Sequence, residues 1–300
     1  MRDWRYWRNL LLFGVGLLAV GLGGSIARLA HRSAMNLLQP ARSERQISDT
    51  PARLGVGYQE ITLTTADGLE LAGWYTPASN GAVILVAHGY GGARQAEKHA
   101  FFARSGFGTV TWDFRAHGES EGEVCTMGHQ EAMDVEAALD FALSQPDLDM
   151  VGALGESMGA AAIIQAAARR PEIAAMVADS SFAALEEEIE IVVPQAILRP
   201  FIRFFAEREA GLDIGDLRPI ERIGEISPRP VFIIQGMADS AIPADSAQRL
   251  YDAAGEPRRL WIEPGVEHMG VQNARPAEYE RRVIEFFTAA LLSRDQSGAR

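Results

Sequence analysis

Two residue types are almost absent from this chain of 300 residues, and each absence excludes a class of chemistry. Cys125 is the only cysteine, so the chain can form no internal disulfide and no zinc site built from cysteines. Lys98 is the only lysine, which leaves one candidate for Schiff-base chemistry. The six histidines lack the short repeated spacings that are typical of metal ligands. We therefore expect no catalytic metal.

Positive charge is also scarce, since the formal net charge at pH 7 is −12. Nucleic-acid phosphates require a basic protein surface, so a nucleic-acid partner is excluded. No Gly-x-Gly-x-x-Gly motif follows the first predicted strand of the folded domain, and we expect no cofactor. The hydrophobic content of 47% indicates one large globular domain with an appendage.

The appendage is an uncharged, predominantly apolar segment at residues 10–27. At about 1.5 Å per helical residue, this segment is just long enough for the ~30 Å hydrocarbon core of a bilayer. Arginines alternate with aromatic residues before it, as at a membrane interface. We interpret residues 1–32 as a single-pass membrane anchor, and a cleaved signal peptide with a small-x-small site at residues 25–27 is the alternative. Arginines nearly balance on its two sides, and we expect the following domain outside the cytoplasm.

The remaining chain divides into a linker at 33–57, a folded domain at 58–293 and a polar tail at 294–300. Asp67-Gly68 joins two strand-like segments and predicts a β-hairpin. Short apolar runs then alternate with helical patterns, which indicates a parallel sheet buried on both faces. An insertion at about 182–227 interrupts this alternation and predicts a helical cap over the carboxyl edge of the sheet. Its aromatic patch at 201–205 either packs the cap onto the body or lines an acyl pocket.

The pentapeptide Gly155-Glu156-Ser157-Met158-Gly159 lies between a predicted strand and a predicted helix. This is the Gly-x-Ser-x-Gly context of a nucleophile elbow, in which a tight turn holds the serine hydroxyl at the sheet edge. A serine needs an adjacent base to become a good nucleophile. His268 is the only histidine after Ser157, in a loop before the last helix, and is the predicted base.

A carboxylate must orient the histidine, and Asp239 is the preferred candidate because it closely follows the strand at 231–234. The alternatives are Asp179, which ends an earlier strand, Asp245, which we expect to cap a helix, and Asp113, which precedes the serine against the expected order.

An oxyanion hole requires backbone N–H groups aimed at the substrate's carbonyl oxygen. We place one at Tyr90, in the His-Gly-Tyr-Gly-Gly loop after the strand at 82–87, and the second at Met158. We expect His88 to hold this loop by hydrogen bonds, and the turn containing His117 to fix a neighbouring loop.

Several motifs occur in an order that resembles the serine α/β-hydrolase superfamily, in particular the membrane-tethered, BEM46-like bacterial members. They are HGYGG at 88–92, DFRAHGESEG at 113–122, GESMG at 155–159, ADSSF at 178–182, QGMADSAIP at 235–243 and PGVEH at 264–268. The resemblance covers residue 58 to the last helix. It implies an α/β-hydrolase fold: a mostly parallel central sheet with helices on both faces and a short helical cap. Ala116 and Gln235 depart from the usual glycine and histidine of the family.

The resemblance agrees with the roles assigned above: Ser157 as nucleophile, Asp239 as acid, His268 as base, and the N–H groups of Tyr90 and Met158 for the oxyanion. We expect a serine hydrolase that forms an acyl-enzyme on carboxylic esters or thioesters, with a small-molecule or lipid-like acyl substrate. A serine peptidase of the aminopeptidase-like branch is the alternative enzyme. A non-catalytic binding protein of the same fold is the alternative outside enzymes.

Overall fold

The computed structural model of the protein describes residues 3–40, 49–146 and 148–293. The predicted polar tail at 294–300 and residues 41–48 of the predicted linker lie outside the described residues.

The centre of the structure is an eight-stranded sheet with the order β1-β2-β4-β3-β5-β6-β7-β8. Its strands are β1 (Gln59–Thr64), β2 (Glu70–Thr76), β3 (Ala82–Ala87), β4 (Gly108–Trp112), β5 (Met150–Glu156), β6 (Ile173–Asp179), β7 (Val231–Gly236) and β8 (Arg258–Glu263). β1 and β2 form the antiparallel hairpin that Asp67-Gly68 predicts, and β2 pairs antiparallel with β4. From β4 to β8 every pairing is parallel.

Ten α-helices surround this sheet or extend from it within the described residues. They are α1 (Asp3–Leu38), α2 (Ala96–Arg104), α3 (Glu131–Leu143), α4 (Met158–Arg169), α5 (Leu185–Val192), α6 (Arg199–Ala210), α7 (Pro219–Arg222), α8 (Ser246–Ala253), α9 (Val271–Ala274) and α10 (Pro276–Phe287). Short 3-10 helices occupy Pro51–Leu54, Ile214–Asp216 and Ile223–Ile226, and a π-helical turn follows α10 at Thr288–Leu292.

Every residue of β3 and β4 is buried, as expected for strands covered on both faces. Side chains from α3, α4 and α8 pack on one face of the sheet. Aromatic side chains from α2 and α10 pack on the other face, where Phe102 and Phe287 lie 5.7 Å apart between ring centroids. The predicted α/β class and mostly parallel sheet are confirmed.

The segment between β6 and β7 contains α5, α6 and α7; α5 and α6 form the helical cap, whereas α7 packs against α4 and α8 of the body. The cap has its own apolar cluster, to which Phe182 at the end of β6 and Ile202 of α6 belong. Part of the predicted aromatic patch faces outward, since Phe201 and Phe204 are 47% and 58% exposed. Phe205 instead packs against His31 of α1, with ring centroids 5.2 Å apart. The patch therefore does not line an internal pocket.

The apolar N-terminal segment is one helix, α1, and its Trp4–Leu38 portion is long and apolar enough to cross a membrane. The helix continues six residues past residue 32, where the predicted anchor ends and the linker begins. Residues 33–38 are not an irregular linker, because Ala34 and Leu38 are buried against the cap together with Ala30. Small alanine side chains let α1 approach α6 closely, and this packing extends the helix into the folded domain.

Candidate active site

Ser157 occupies a sharp turn between β5 and α4. Its backbone φ is 51°, a left-handed conformation that costs energy for a residue with a side chain. The flanking glycines are required by close approach: a Cβ on Gly155 would lie 2.5 Å from the Gly159 carbonyl group, and one on Gly159 would lie 2.5 Å from the His88 carbonyl oxygen. The turn thus holds the Ser157 hydroxyl at the carboxyl edge of the sheet, beside the N-terminus of α4.

Two loops bring His268 and Asp239 to this serine. His268 lies between β8 and α9, and Asp239 follows β7. The His268 Nε2 atom is 2.9 Å from the Ser157 hydroxyl oxygen, and its Nδ1 atom is 2.7 Å from Asp239 Oδ2. Because the carboxyl oxygen accepts from Nδ1–H, Nε2 is left as the acceptor for the serine hydroxyl.

Backbone hydrogen bonds fix the Asp239 carboxyl group. The N–H groups of Ala241 and Ile242 donate to its Oδ1 atom at 2.9 and 3.2 Å, which leaves Oδ2 for His268. The side chain of Asp239 is fully buried, whereas that of His268 is 20% exposed. The histidine is therefore oriented from behind by a rigid group, and its Ser157 side remains accessible to a reactant.

The electrostatic environment of His268 favours its protonated form. Burial alone would lower the pKa of His268, but the hydrogen bond and the negative charge of Asp239 outweigh burial. The charges of Glu188 and Asp179 act in the same direction, and the pKa lies above its usual value. An imidazole with a raised pKa is a stronger base for the Ser157 proton.

The alternative acids lie elsewhere. Asp179 accepts a 2.9 Å hydrogen bond from the Tyr279 hydroxyl group and another from Ser180. Asp113 accepts hydrogen bonds from the backbone and side chain of Arg94. Asp245 occupies the N-cap position of α8, but its side chain makes no cap hydrogen bond, so the capping predicted for its carboxyl group is wrong. Of the four carboxyl groups considered, only Asp239 contacts His268.

The loop after β3 lies directly above the serine. A Cβ on Gly89 would be 3.4 Å from the Ser157 Cβ, so the backbone leading to Tyr90 passes close to the reacting hydroxyl. Met158 is the first residue of α4, and its N–H therefore has no acceptor within the helix. The two predicted oxyanion donors thus belong to backbone segments on two sides of Ser157.

Two histidines brace this loop. His88 Nε2 accepts a hydrogen bond from the Phe114 N–H at 3.0 Å, and His117 Nε2 accepts one from the Gly91 N–H at 3.1 Å. Each Nδ1 atom lies within 2.8 Å of a backbone carbonyl oxygen, so both rings carry their proton on Nδ1. These contacts agree with the structural roles expected for His88 and His117.

Charged groups are also buried behind the elbow. Lys98, the only lysine, forms a 2.7 Å ion pair with Glu156, and both side chains are 4% exposed. Gln95 donates a hydrogen bond to the second carboxylate oxygen of Glu156. Asp179 lies nearby, and burial together with the charge of Glu156 raises the pKa of Asp179 to about 6. We call Lys98, Glu156, Asp179 and Tyr279 the rear polar cluster.

One residue of the site was missed by the sequence reasoning: Glu188 of α5. It is 8% exposed, and its Oε2 atom has no hydrogen-bond partner within the described parts of the chain. Burial raises the pKa of Glu188 to about 7, although the charge of His268 lowers it. A signal was present, because Leu185 and Glu188 have the i, i+3 spacing of one helix face, and both are buried.

Glu188 borders a narrow apolar cavity of ≈ 60 Å³ beneath the cap. The cavity is lined by residues of α1, α5, α6 and the loop before α3, and Thr126 is its only other polar side chain. In residues 3–40, 49–146 and 148–293, no group of three or more His, Cys, Asp or Glu side chains is arranged to hold a metal ion. The site is thus a hydrogen-bonded pair of a buried Ser157 and a partly exposed His268, with an apolar cavity beneath the neighbouring cap.

Sequence comparisons place the chain among known proteins. Residues 78–212 match the family model described as serine aminopeptidase, S33. The chain is 32% identical over 217 residues to the uncharacterized protein Rv2307c of Mycobacterium tuberculosis, covering 70% of this chain and 72% of that protein. It is 26% identical over 246 residues to the uncharacterized protein YfhR of Escherichia coli, covering 78% and 81% of the two chains.

Among solved structures, the Pyrococcus furiosus esterase Pf2001 matches 84% of this chain and 98% of its own, with a TM-score of 0.71 and 26% identity. Esterase neighbours of this kind support a hydrolase activity. The order of the motifs, the elbow at Ser157 and these matches lead to one conclusion: the chain belongs to the serine α/β-hydrolase superfamily.

Proposed function

We propose that the protein is a serine hydrolase that cleaves carboxylic esters or thioesters through an acyl-enzyme. The observation that carries this proposal is the continuous contact from Ser157 through His268 to Asp239, at 2.9 and 2.7 Å. Hydrogen bonds of this length and order are those of an activated serine nucleophile. The esterase neighbour of the same architecture supports the reaction class.

In the proposed mechanism, His268 Nε2 removes the proton from Ser157 as the hydroxyl oxygen attacks the substrate carbonyl carbon. Asp239 keeps the imidazole in the correct tautomer and stabilises the imidazolium that forms. The N–H groups of Tyr90 and Met158 stabilise the negative charge on the carbonyl oxygen. His268 then gives its proton to the leaving group, and a water molecule activated by the same imidazole hydrolyses the acyl-enzyme.

A second candidate is peptide hydrolysis, which the S33 serine aminopeptidase model favours. The same nucleophile and base would act on an amide, whose amine leaving group must be protonated by His268. The two activities differ in substrate binding. An aminopeptidase must bind a free α-amino group beside Ser157, whereas an esterase with a long acyl substrate needs an apolar pocket.

The proposal also includes the location of the protein at a membrane. We propose that α1 is a retained single-pass anchor and that the domain containing Ser157 lies outside the cytoplasm. The length and composition of α1 support a span. The burial of Ala30, Ala34 and Leu38 supports retention, because this end of the helix belongs to the folded domain.

The test is labelling of the full-length protein in detergent with a fluorophosphonate, followed by turnover of p-nitrophenyl esters and of aminoacyl p-nitroanilides. We expect labelling and ester turnover by the wild type, and loss of both by at least about 10³-fold in Ser157→Ala. The matched control is Ser240→Ala, an exposed loop serine near the site, which should label normally. Unchanged turnover by Ser157→Ala would overturn the proposal, and faster p-nitroanilide turnover would favour the peptidase.

A further inference from the structure

The apolar cavity beneath the cap is lined by two parts of the chain that are distant in sequence, the helix α1 and the folded domain. Leu37 and Leu38 come from the last turn of α1. Ile189 and Val192 come from α5, more than 150 residues later in the sequence. Val192 is 50% exposed and marks the rim of the cavity. An apolar cavity of this kind excludes water and favours an apolar occupant.

The apolar cluster around the cavity reaches the loop that carries Asp239. Ile242, whose N–H donates to Asp239, belongs to the same cluster as the lining residues Leu38 and Leu185. Glu188 lines the cavity and is close enough to His268 and Asp239 for their charges to influence its pKa. Met127, another lining residue, precedes Gly128, where a Cβ would come within 3.2 Å of the Met158 carbonyl oxygen. The cavity therefore runs from the neighbourhood of the nucleophile towards the surface at Val192.

The end of α1 is fixed to the loops that surround the nucleophile. The Tyr90 hydroxyl donates a 3.2 Å hydrogen bond to the Asn36 carbonyl oxygen, and the Cys125 N–H donates a 2.7 Å bond to the Leu38 carbonyl oxygen. The last carbonyl groups of a helix have no N–H donors within the helix, so the Tyr90 hydroxyl and the Cys125 N–H satisfy two of these acceptors at the C-terminus of α1. The position of Leu37 is thus set by the oxyanion loop and by the loop before α3.

We propose that the last turn of α1 is part of the substrate-binding site and that the cavity holds the first methylenes of an unbranched fatty acyl chain in contact with Leu37, while the rest of the chain leaves past Val192. This inference rests on the proposed acyl-hydrolase function and adds the class of acyl group and the residues that select it. The cavity is narrow and lined mainly by leucine, isoleucine, valine and alanine, which suits a single methylene chain. The acyl carbonyl lies at the Glu188 end, next to Ser157, and the chain points towards Val192.

The test is the dependence of kcat/KM on acyl-chain length for p-nitrophenyl esters, measured with the full-length protein in detergent. Each methylene buried in an apolar site increases binding about fourfold, so the wild type should gain activity with chain length until the cavity is full. Leu37→Trp should lower kcat/KM for dodecanoyl and longer esters at least about tenfold more than it lowers kcat/KM for the acetyl ester, which corresponds to the loss of two buried methylenes.

Two further variants make the result interpretable. Val192→Trp narrows the same cavity from α5 and should shorten the preferred chain as Leu37→Trp does. Leu29→Trp makes the same substitution at an exposed position of α1 outside the cavity and should leave the chain-length profile of the wild type. The rate of labelling by a short fluorophosphonate shows in each variant that Ser157 is still activated.

The outcomes separate the two proposals. A chain-length profile that Val192→Trp changes and Leu37→Trp does not would show that α1 is no part of the pocket. Equal loss for acetyl and dodecanoyl esters in Leu37→Trp, with normal labelling, would also overturn the inference. Absence of labelling and of turnover of every ester by the folded wild type would overturn the proposed function itself.

Discussion

Two regions on opposite sides of Ser157 treat buried charge in opposite ways. In the rear polar cluster, Lys98 and Glu156 are both buried and paired at 2.7 Å, and further hydrogen bonds satisfy their remaining atoms. In the apolar cavity, Glu188 is equally buried, but its Oε2 atom has no partner in the described residues. The charges of the cluster are paired within the fold, whereas one buried carboxyl oxygen of Glu188 has no partner among the described residues.

This difference indicates that the rear polar cluster supports the fold, whereas the apolar cavity is suited to binding. Paired groups behind the elbow fix the backbone on which the nucleophile sits, and removing one of them leaves a buried charge uncompensated. An apolar wall with an unpaired carboxyl group contributes little to the stability of the fold. An apolar wall of this kind is useful to the protein when it binds a ligand, which agrees with the proposed acyl site.

The largest effect is expected from breaking the rear polar cluster. Lys98→Met leaves Glu156 buried without its cation, and the free energy of unfolding should fall by about 3–5 kcal/mol. Thermal unfolding in detergent measures the change. The double variant Lys98→Met/Glu156→Gln removes both charges and should recover part of the loss. A single variant as stable as the wild type would show that the pair is not a supporting element.

Glu188→Met is expected to have the opposite sign. Removing an unpaired buried carboxyl group should raise the free energy of unfolding by about 1–3 kcal/mol. The gain should increase with pH: the pKa of Glu188 is about 7 in the folded protein and 4.5 ordinarily, so the wild type loses stability as pH rises through this window. Melting temperatures from pH 4.5 to 8.5 measure this trend.

The neighbouring glutamate provides the control for that experiment. Glu187 forms hydrogen bonds with Arg249, which lower its pKa, so its ionised form stabilises the fold at neutral pH. Glu187→Met should therefore lose its effect as pH falls below the ordinary carboxyl range, the reverse of Glu188→Met. If both variants showed the same pH trend, Glu188 would not be the isolated carboxyl group that the structure indicates.

The smallest effect is expected at the hydrogen bond that joins the loop after β3 to the end of α1. Tyr90→Phe removes the bond to the Asn36 carbonyl oxygen and keeps the backbone N–H of residue 90. We expect kcat for a short ester to fall by no more than about tenfold, the value of one net hydrogen bond, with KM unchanged. Tyr58→Phe, at the distant edge of the sheet, is the control. A loss of about 10³-fold would instead give the phenol a direct role in the reaction.

Much of the fold could be predicted from the sequence because its signals are local. The apolar runs that became β3 to β7 are continuous, and Asp67-Gly68 defines its hairpin by turn chemistry alone. The motif around Ser157 could be read for the same reason, since its two glycines are imposed by contacts within the turn. Asp239 and His268 were placed by chain order, and the structure brings both to the serine; their catalytic roles stay a prediction.

The cavity and the docking of α1 could not be predicted, because they depend on contacts between distant parts of the chain. Ala30 and Ala34 lie among arginine and histidine residues just after the apolar segment, and nothing in their local sequence indicates that they pack against a cap. Leu37, Met127 and Val192 meet only after the fold has formed. Glu188 lies in a run of three glutamates, which hides its place on the buried face of α5.

The unbroken course of α1 has a consequence for where the reaction can take place. From residue 27 to Leu38 the helix rises about 16 Å with no flexible joint, and its end is part of the folded domain. A flexible linker would let the domain take up many positions and orientations relative to the membrane. A continuous helix instead fixes the distance between Ser157 and the membrane. With residues 10–27 in a bilayer, Ser157 therefore stays at one distance from the membrane surface. Substrate selection then depends partly on position: a bond is cleaved only if it reaches the distance from the membrane at which Ser157 is held.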